Sequence, residues 1–447
     1  MTPFADADEV FAYLESFTNL ERGGFVPREY RLERMARLLD EFGDPQLGYK
    51  VIHVAGSKGK GSVCAFAANC CAASGARVGL YMSPHISDYR ERISLLGDGM
   101  TGDQRDALVV EVGNKLANFV DRLRTTETEE KLPTTFERLT LLAFLIFREA
   151  GCEVAVIEVG LGGRLDATNL VVPAVSVITR IELEHTDYLG DTPQAIAREK
   201  GGIIKAGIPV VVADQDEEVA IVLKEIAKKQ SAPLILARSA VAVRIGDTSD
   251  TGTDVTLKFS DDFEVGSRLA LLGDIQANNA AVGAVAVRLA LPDVSAEALS
   301  TGLAQTWIPG RAEIWPGAPR ILLDGAHTPR SIGTVLQVAG QLEREKSRRV
   351  LVFGAVTGKH HEAILEALVD QFVEIIIARP GTFKESDTTA LEELCRSLGG
   401  NCRRIDEMKP ALAEARSRAR VLNASLIVVT GSFYLVGEAR QVLRTQE

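Results

Sequence analysis

Residues 51–62, reading VIHVAGSKGKGS, constrain the fold more than any other stretch of this chain. Val51, Ile52 and Val54 make a β-rich apolar run that stops at Gly56, and the small apolar residues after Ser62 read as a helix. A strand that turns through glycines into a helix N-terminus presents backbone N–H groups and positive potential to an anion. Lys60 is set to reach terminal phosphates, and the Ser62 hydroxyl to meet Mg²⁺ or a phosphate oxygen. The spacing departs from G-x-x-x-x-G-K-[ST], because two residues separate Gly56 from Gly59 and Gly61 intervenes before Ser62. Glycine turns between strand and helix are common without any ligand, so nucleotide phosphate stands here as an expectation.

The surrounding pattern agrees with an α/β fold. Apolar runs predict strands at 51–55, 78–82, 154–159, 175–181 and 209–213, with helices at 136–150 and 193–204. Continuous apolar strands alternating with helices argue for a parallel sheet covered on both faces. Residues 239–272 break the pattern and read as hairpins joined by Gly, Asp and Ser turns, a β appendage on the first domain. A helix is expected over 275–289. Trp307-Ile308-Pro309-Gly310 reads as a hinge, although Pro-Gly also serves as a plain turn. Beyond it a second series of strands is expected at 320–323, 350–353, 374–378 and 426–430. At 447 residues the chain has room for two or three domains. The simplest division is 1–306 and 307–447, hinged near 307–311, with a cleft suited to joining two substrates.

Charge and composition exclude several classes. A net charge of −11 argues against a general nucleic-acid-binding surface. The six cysteines form no CxxC pair and several lie in apolar runs, which fits buried thiols in a reducing cytosol. The N-terminal MTPFADADEVFAYLESF lacks the basic and apolar regions of a leader and reads as an amphipathic helix. No run approaches the roughly 18 apolar residues of a membrane span. The expectation is a soluble, cytoplasmic protein with neither membrane nor nucleic-acid partner.

Chemistry is expected at the ends of strands, where open α/β sheets bind ligands. His85, His185 and His327 each follow a predicted strand, though any one of them alone reads as structural. Glu158 lies inside the apolar run VAVIEVGLGG and needs a cation or several donors. It is either half of a structural salt bridge or a Mg²⁺ ligand opposite the phosphate loop. Ser83, Glu158 and His185 sit near the ends of neighbouring predicted strands and could surround a nucleotide-bound divalent ion. Imidazole is an unusual ligand for Mg²⁺, which prefers oxygen. Lys200, in IAREKGGIIKAG, reads by itself as a solvated helix lysine. Asp166 and Asn169 belong to a glycine-rich loop, GLGGRLDATN, that could fold over a substrate. Arg311 and Asp324-Gly325-Ala326-His327 would offer a cation, a carboxylate and an imidazole from the second domain.

HVAGSKGKGS, YMSPHISDYRERI, IEVGLGGRLDATN, HTDYLGDT, AREKGGIIKAG, PGR and DGAH occur in this order. The chain thereby resembles the folylpolyglutamate synthase/dihydrofolate synthase family of the Mur ligase superfamily, from about Leu32 to the C-terminal TGSFYLVGE. The resemblance implies a Mur-type P-loop ATPase domain with the β appendage, followed by a C-terminal Rossmann-like α/β domain that closes over ATP. It implies that Gly59, Lys60, Gly61 and Ser62 hold phosphates and that Ser83, Glu158 and His185 bind Mg²⁺. Lys200 matches the lysine that carries a carbamate in the family, a ligand for a second Mg²⁺. Arg311 and Asp324 would contact ATP from the second domain, with Asn279 and His327 near the nucleotide. The implied catalytic set is Lys60, Glu158, His185 and Lys200. The implied reaction passes the ATP γ-phosphoryl group to the carboxylate of dihydropteroate or a reduced folate, and L-glutamate then forms an amide. A monomer is implied as well.

Four positions depart from the family pattern. Lys58 replaces an asparagine in the loop, Ile275 a histidine in IQANNA, and Thr328 an asparagine in DGAHTP. Lys359-His360 stands where a Lys-Asp pair is usual. These changes leave open a Mur-type ligase with another acceptor or amino acid, or a non-catalytic ATP-binding relative. Glu158, His185 and Lys200 argue against the latter, because a mere binder need not keep metal-linked groups. The choice between dihydropteroate and folate, and the number of glutamates added, also stay open.

Overall fold

A computed structural model describes residues 3–17, 32–97, 99–128, 131–358, 360–382 and 385–445. Lys359 lies outside these residues, so its pairing with His360 is not described. Among the described residues the strands form three sheets. The first contains β1 (Lys50–Ala55), β2 (Val78–Tyr81), β3 (Ile93–Leu96), β4 (Val154–Glu158), β5 (Val175–Ile178), β6 (Val210–Val212) and β7 (Leu234–Leu236). Their order is β3-β2-β4-β1-β5-β6-β7, parallel throughout except for the antiparallel edge strand β3.

Period-two alternation sorts the side chains of this sheet onto two cores. Ile52, Val54, Val154 and Val156 face the core shared with helices Lys60–Ala73, Asp274–Ala290 and Ala296–Gln305. Val51, Ala155 and Ile157 face the core built on helices Ala7–Glu15, Gly102–Thr126 and Thr135–Glu149. Burial on both faces explains why these strands read as unbroken apolar runs.

The second sheet is antiparallel, with β8 (Val241–Ser249), β9 (Gly252–Phe259) and β10 (Glu264–Leu269) in the order β10-β9-β8. Val241, Val255, Leu257 and Leu269 join the first of those cores, which anchors this small sheet to the larger one. The third sheet holds β11 (Glu313–Trp315), β12 (Arg320–Asp324), β13 (Arg349–Phe353), β14 (Glu374–Ile377), β15 (Cys402–Arg404) and β16 (Leu426–Thr430). It runs β11-β12-β16-β13-β14-β15, with only β11 antiparallel, and apolar clusters cover both faces.

Two expected elements fall short of their apolar patterns by about three or four residues. The strand expected over 175–181 ends at Ile178, because Arg180 turns away to form an antiparallel bridge with Lys58. The helix expected over 193–204 is α-helical over Pro193–Lys200, and Gly201–Ile203 continues as a 3₁₀ turn. Glycine pairs have little helical preference, so the tighter turn takes over there. Among the described residues no helix is long and apolar enough to cross a membrane.

Candidate active site

The glycine loop leaves the C-terminal end of β1, in the centre of the parallel sheet. Its shape is fixed from outside: the N–H groups of Ser57 and Lys58 donate to the Arg180 carbonyl at 2.9 and 3.1 Å. The Ser57 hydroxyl donates to the Glu182 carbonyl at 2.9 Å. Gly56 must be glycine, since a Cβ there would lie 1.9 Å from Thr179 Oγ1. Gly59, at φ 87°, caps the helix Lys60–Ala73, and a Cβ on it would meet Asn279 Oδ1 at 2.7 Å. The first N–H groups of a helix have no partner one turn back, so this N-terminus faces its surroundings with unspent donors. Ser62 is buried in the first turn.

Two carboxylates and three lysines stand around this loop. Glu158, the last residue of β4, is 4% exposed and accepts a 3.0 Å hydrogen bond from the Ser83 N–H. Its Oε1 lies 3.9 Å from Lys60 Nζ. Burial pushes the Glu158 carboxyl up, while Lys60, the Ser83 N–H, Arg311 and Arg92 pull it back. Lys200, only 2% exposed, donates to the Gly56 carbonyl at 2.8 Å and to Glu184 Oε1 at 2.9 Å. Burial, helped by the charge of Lys60, brings the Lys200 ammonium down to about 8 against the pull of Glu184. Burial would raise the Glu184 carboxyl, but Lys200, Lys60 and Lys58 together hold it at about 2. Lys58 Nζ lies 3.6 Å from Glu184 Oε2.

The second half of the chain contributes from the end of β12. Asp324 accepts from the N–H groups of Ala312 and Ala326, both at 2.8 Å, which fixes the turn that carries Arg311. The Arg311 guanidinium lies over the Phe433 ring, 4.3 Å from its centroid. Burial lowers its pKa against the pull of Asp324 and Glu158, so it shares the field of the Glu158 carboxylate across the two halves. His327 Nδ1 donates to the Gly325 carbonyl at 2.8 Å, and its ring packs edge-on against Phe433.

The structure therefore brings Lys60 and Ser83 to Glu158, with Arg311 in the field of the same carboxylate. It corrects the reading of Lys200 as a solvated helix lysine, because the side chain is buried and turned back to the Gly56 carbonyl. Ser83 reaches Glu158 through its backbone N–H. His185, at φ 48°, is the N-cap of the short helix Thr186–Leu189 and is exposed. Because β1 lies between β4 and β5, His185 does not share a neighbouring strand end with Glu158. Among the described residues no group of three His, Cys, Asp or Glu side chains forms a ready-made metal cage. Asn279 packs against Gly59, one helical turn beyond Ile275, which is 43% exposed. Thr328 caps the helix Pro329–Leu342 in a reciprocal capping box with Ser331.

Asp166 accepts from Thr168 and the Leu161 N–H, so its carboxylate shapes its own loop, while Asn169 donates to the Arg164 and Gly202 carbonyls. Glu184 and Phe433 were not singled out from sequence. Glu184 had a signal, as the residue before His185 in IELEH; Phe433, after TGS, had none.

Residues 54–287 match the Mur ligase middle domain, and residues 310–433 match the glutamate ligase domain of Mur ligases. A probable bifunctional folylpolyglutamate synthase/dihydropteroate synthase of Halobacterium salinarum is 35% identical over 415 residues, covering 91% of this chain and 49% of that protein. The chain thus spans about half the length of that relative. The folylpolyglutamate synthase of Lacticaseibacillus casei is 32% identical, with 97% of this chain and 98% of that one covered. The structure of Mycobacterium tuberculosis folylpolyglutamate synthase with ADP and AMPPCP superposes with a TM-score of 0.84 at 29% identity, covering 98% of this chain and 99% of that chain.

Proposed function

The chain belongs to the folylpolyglutamate synthase/dihydrofolate synthase family of Mur ligases, and from that membership we propose that it joins L-glutamate to dihydropteroate or a reduced folate at the expense of ATP. One observation carries the reading. Lys60 of the glycine loop stands 3.9 Å from the buried Glu158, in a field that Arg311 of the second half shares. A cation, a helix N-terminus and a carboxylate at one mouth are what phosphoryl transfer to an acid requires.

Gly59, Lys60, Gly61 and Ser62 would hold the phosphate chain, with Asn279, Arg311, Asp324 and His327 around the nucleotide. The γ-phosphoryl group leaves ADP and bonds to a carboxylate oxygen of the pterin substrate, giving an acyl phosphate. The deprotonated glutamate amine attacks the acyl carbon, forms the amide and expels phosphate. Lys60 and Arg311 offset the charge that develops on the transferring group. Approach of the second half over the loop would shield the acyl phosphate from water.

The residues present fit Mg²⁺. Glu158 offers oxygen ligands, and a Cβ on Gly61 would sit 3.7 and 4.0 Å from its two oxygens, so glycine leaves room beside the carboxylate. Mg²⁺ commonly takes one or two carboxylates together with phosphate oxygens and water. Ser83, Glu158 and His185 would hold one ion, and Lys200, as a carbamate, a second. Bound there, the metal neutralises phosphate charge.

We assign the nucleotide-binding part to 1–306 and the closing part to 307–447, hinged near 307–311, in a monomeric enzyme. Six free cysteines suit a reducing cytoplasm. Purified protein given ATP, Mg²⁺, glutamate and either dihydropteroate or tetrahydrofolate should yield a glutamyl amide with one ADP and one phosphate per bond. ATP binding without amide from either acceptor would refute the assignment. Amide formed with another amino acid, and not with glutamate, would replace the substrate while keeping the chemistry.

A further inference from the structure

We propose that Lys58 is a phosphate-binding residue of this chain, a second loop cation that grips the terminal phosphates of a nucleoside triphosphate together with Lys60. The inference rests on the nucleotide reading above and adds a contact that the Lys60–Glu158 geometry leaves unassigned.

The backbone of Lys58 is already committed. Its N–H donates to the Arg180 carbonyl at 3.1 Å, and the two residues form an isolated antiparallel bridge. Gly59 then turns at φ 87° into a helix that begins at Lys60. The unspent donors of that helix start immediately after Lys58, which places the residue at the edge of the anion-binding turn. Burial lowers the Lys58 ammonium from its ordinary value; Glu184 and Glu182 pull it back up, while Lys60 and Arg311 add to the lowering.

The side chain is held there by a loose ion pair. It is 27% exposed, and its Nζ stands 3.6 Å from Glu184 Oε2, beyond hydrogen-bond distance. The other oxygen of Glu184 takes a full hydrogen bond from Lys200 at 2.9 Å. Glu184 therefore guides Lys58 by charge without occupying its donors. An asparagine at this position could donate hydrogen bonds but would carry no charge. Lysine adds a unit of positive charge beside the phosphates that carry the most negative charge.

The alternative is that Lys58 only balances Glu184. Calorimetric titration of wild type, Lys58→Met, Lys58→Gln and Lys58→Arg with ATP, ADP and AMP separates the two, with thermal unfolding as a check on folding. Both neutral variants should bind ATP about tenfold more weakly, the loss expected for one charge-assisted contact. AMP affinity should stay within about twofold, and Lys58→Arg should recover most of the ATP affinity. Unchanged ATP affinity in folded Lys58→Met and Lys58→Gln would overturn the proposal, as would an equal loss for ATP, ADP and AMP. Wild-type protein that binds no ATP would instead sink the ligase reading itself.

Discussion

Lys200 and Glu184 form a 2.9 Å ion pair in which the lysine side chain is 2% exposed. The same ammonium donates to the Gly56 carbonyl, so the pair fastens the start of the glycine loop to the end of the helix Pro193–Lys200. Glu184 also faces Lys58 and lies in the field of Lys60. One carboxylate thus serves three cations. That is why its carboxyl is held low while burial and the crowd of like charges bring Lys200 down.

Glu184→Gln leaves the buried Lys200 charge without its counter-ion. Breaking a buried pair from one side costs about 3–5 kcal/mol. Urea unfolding at pH 7 should show a loss of that order, and the double variant Glu184→Gln/Lys200→Met should recover much of it. A loss below about 1 kcal/mol would mean that water, not Glu184, compensates the lysine.

Lys200→Ala tests the carbamate. With its ammonium brought down to about 8, about a tenth of Lys200 is neutral at pH 7. The neutral amine can bond to the carbon of CO₂ and release a proton. The variant should lose about a hundredfold or more in kcat, as expected for loss of a charged group at the reacting phosphate. Acetate or formate should restore part of it. Unchanged turnover would remove Lys200 from the reaction.

His53 sets an acid limit on stability. Burial, then the charge of Lys205, lowers its imidazole to about 3, and its Nε2 bonds Thr168 Oγ1 at 2.9 Å. An unfolded imidazole titrates near 6.5, so between pH 6.5 and 3 the unfolded chain binds the extra proton. Stability contributed by His53 is complete above pH 6.5 and is lost as pH falls through that window. From pH 7 to 4.5 wild type should lose about 2.5 kcal/mol more than His53→Leu. Parallel pH profiles would contradict this.

Much of the fold was legible because central strands such as β1 and β4 are apolar on both faces and flanked by glycine turns. The edges were not: β3, β7, β11 and β15 have three or four residues each, and Cys402–Arg404 carries no apolar signal at all. The loop residues Gly59–Ser62 could be read because contiguous residues make the turn. The burial of Lys200 could not, since its partners Gly56 and Glu184 arrive from other strand ends. The placement of His185 was equally illegible: it follows β5 and Glu158 ends β4, the two strands that flank β1, and sequence order did not reveal that β1 is inserted between them.

Arg440 ties three segments together. It pairs with Glu313 at 2.9 Å, both nearly buried, and donates to Ser87 Oγ at 2.9 Å, with its guanidinium over Trp307. Arg440→Met strands the Glu313 carboxylate and should destabilise the protein by about 3–5 kcal/mol. A lower calorimetric midpoint that Glu313→Gln partly restores in the double variant is the expected result. Additive losses in the two variants would show that the pair is not coupled.

The acyl phosphate is the central claim, and isotope transfer tests it most directly. A dihydropteroate or folate acceptor labelled with ¹⁸O in its reacting carboxylate is incubated with the protein, ATP, Mg²⁺ and glutamate, and the released phosphate is analysed by mass spectrometry. Transfer of the γ-phosphoryl group to the carboxylate predicts one ¹⁸O in each phosphate released per amide formed. Amide formation with unlabelled phosphate would contradict it.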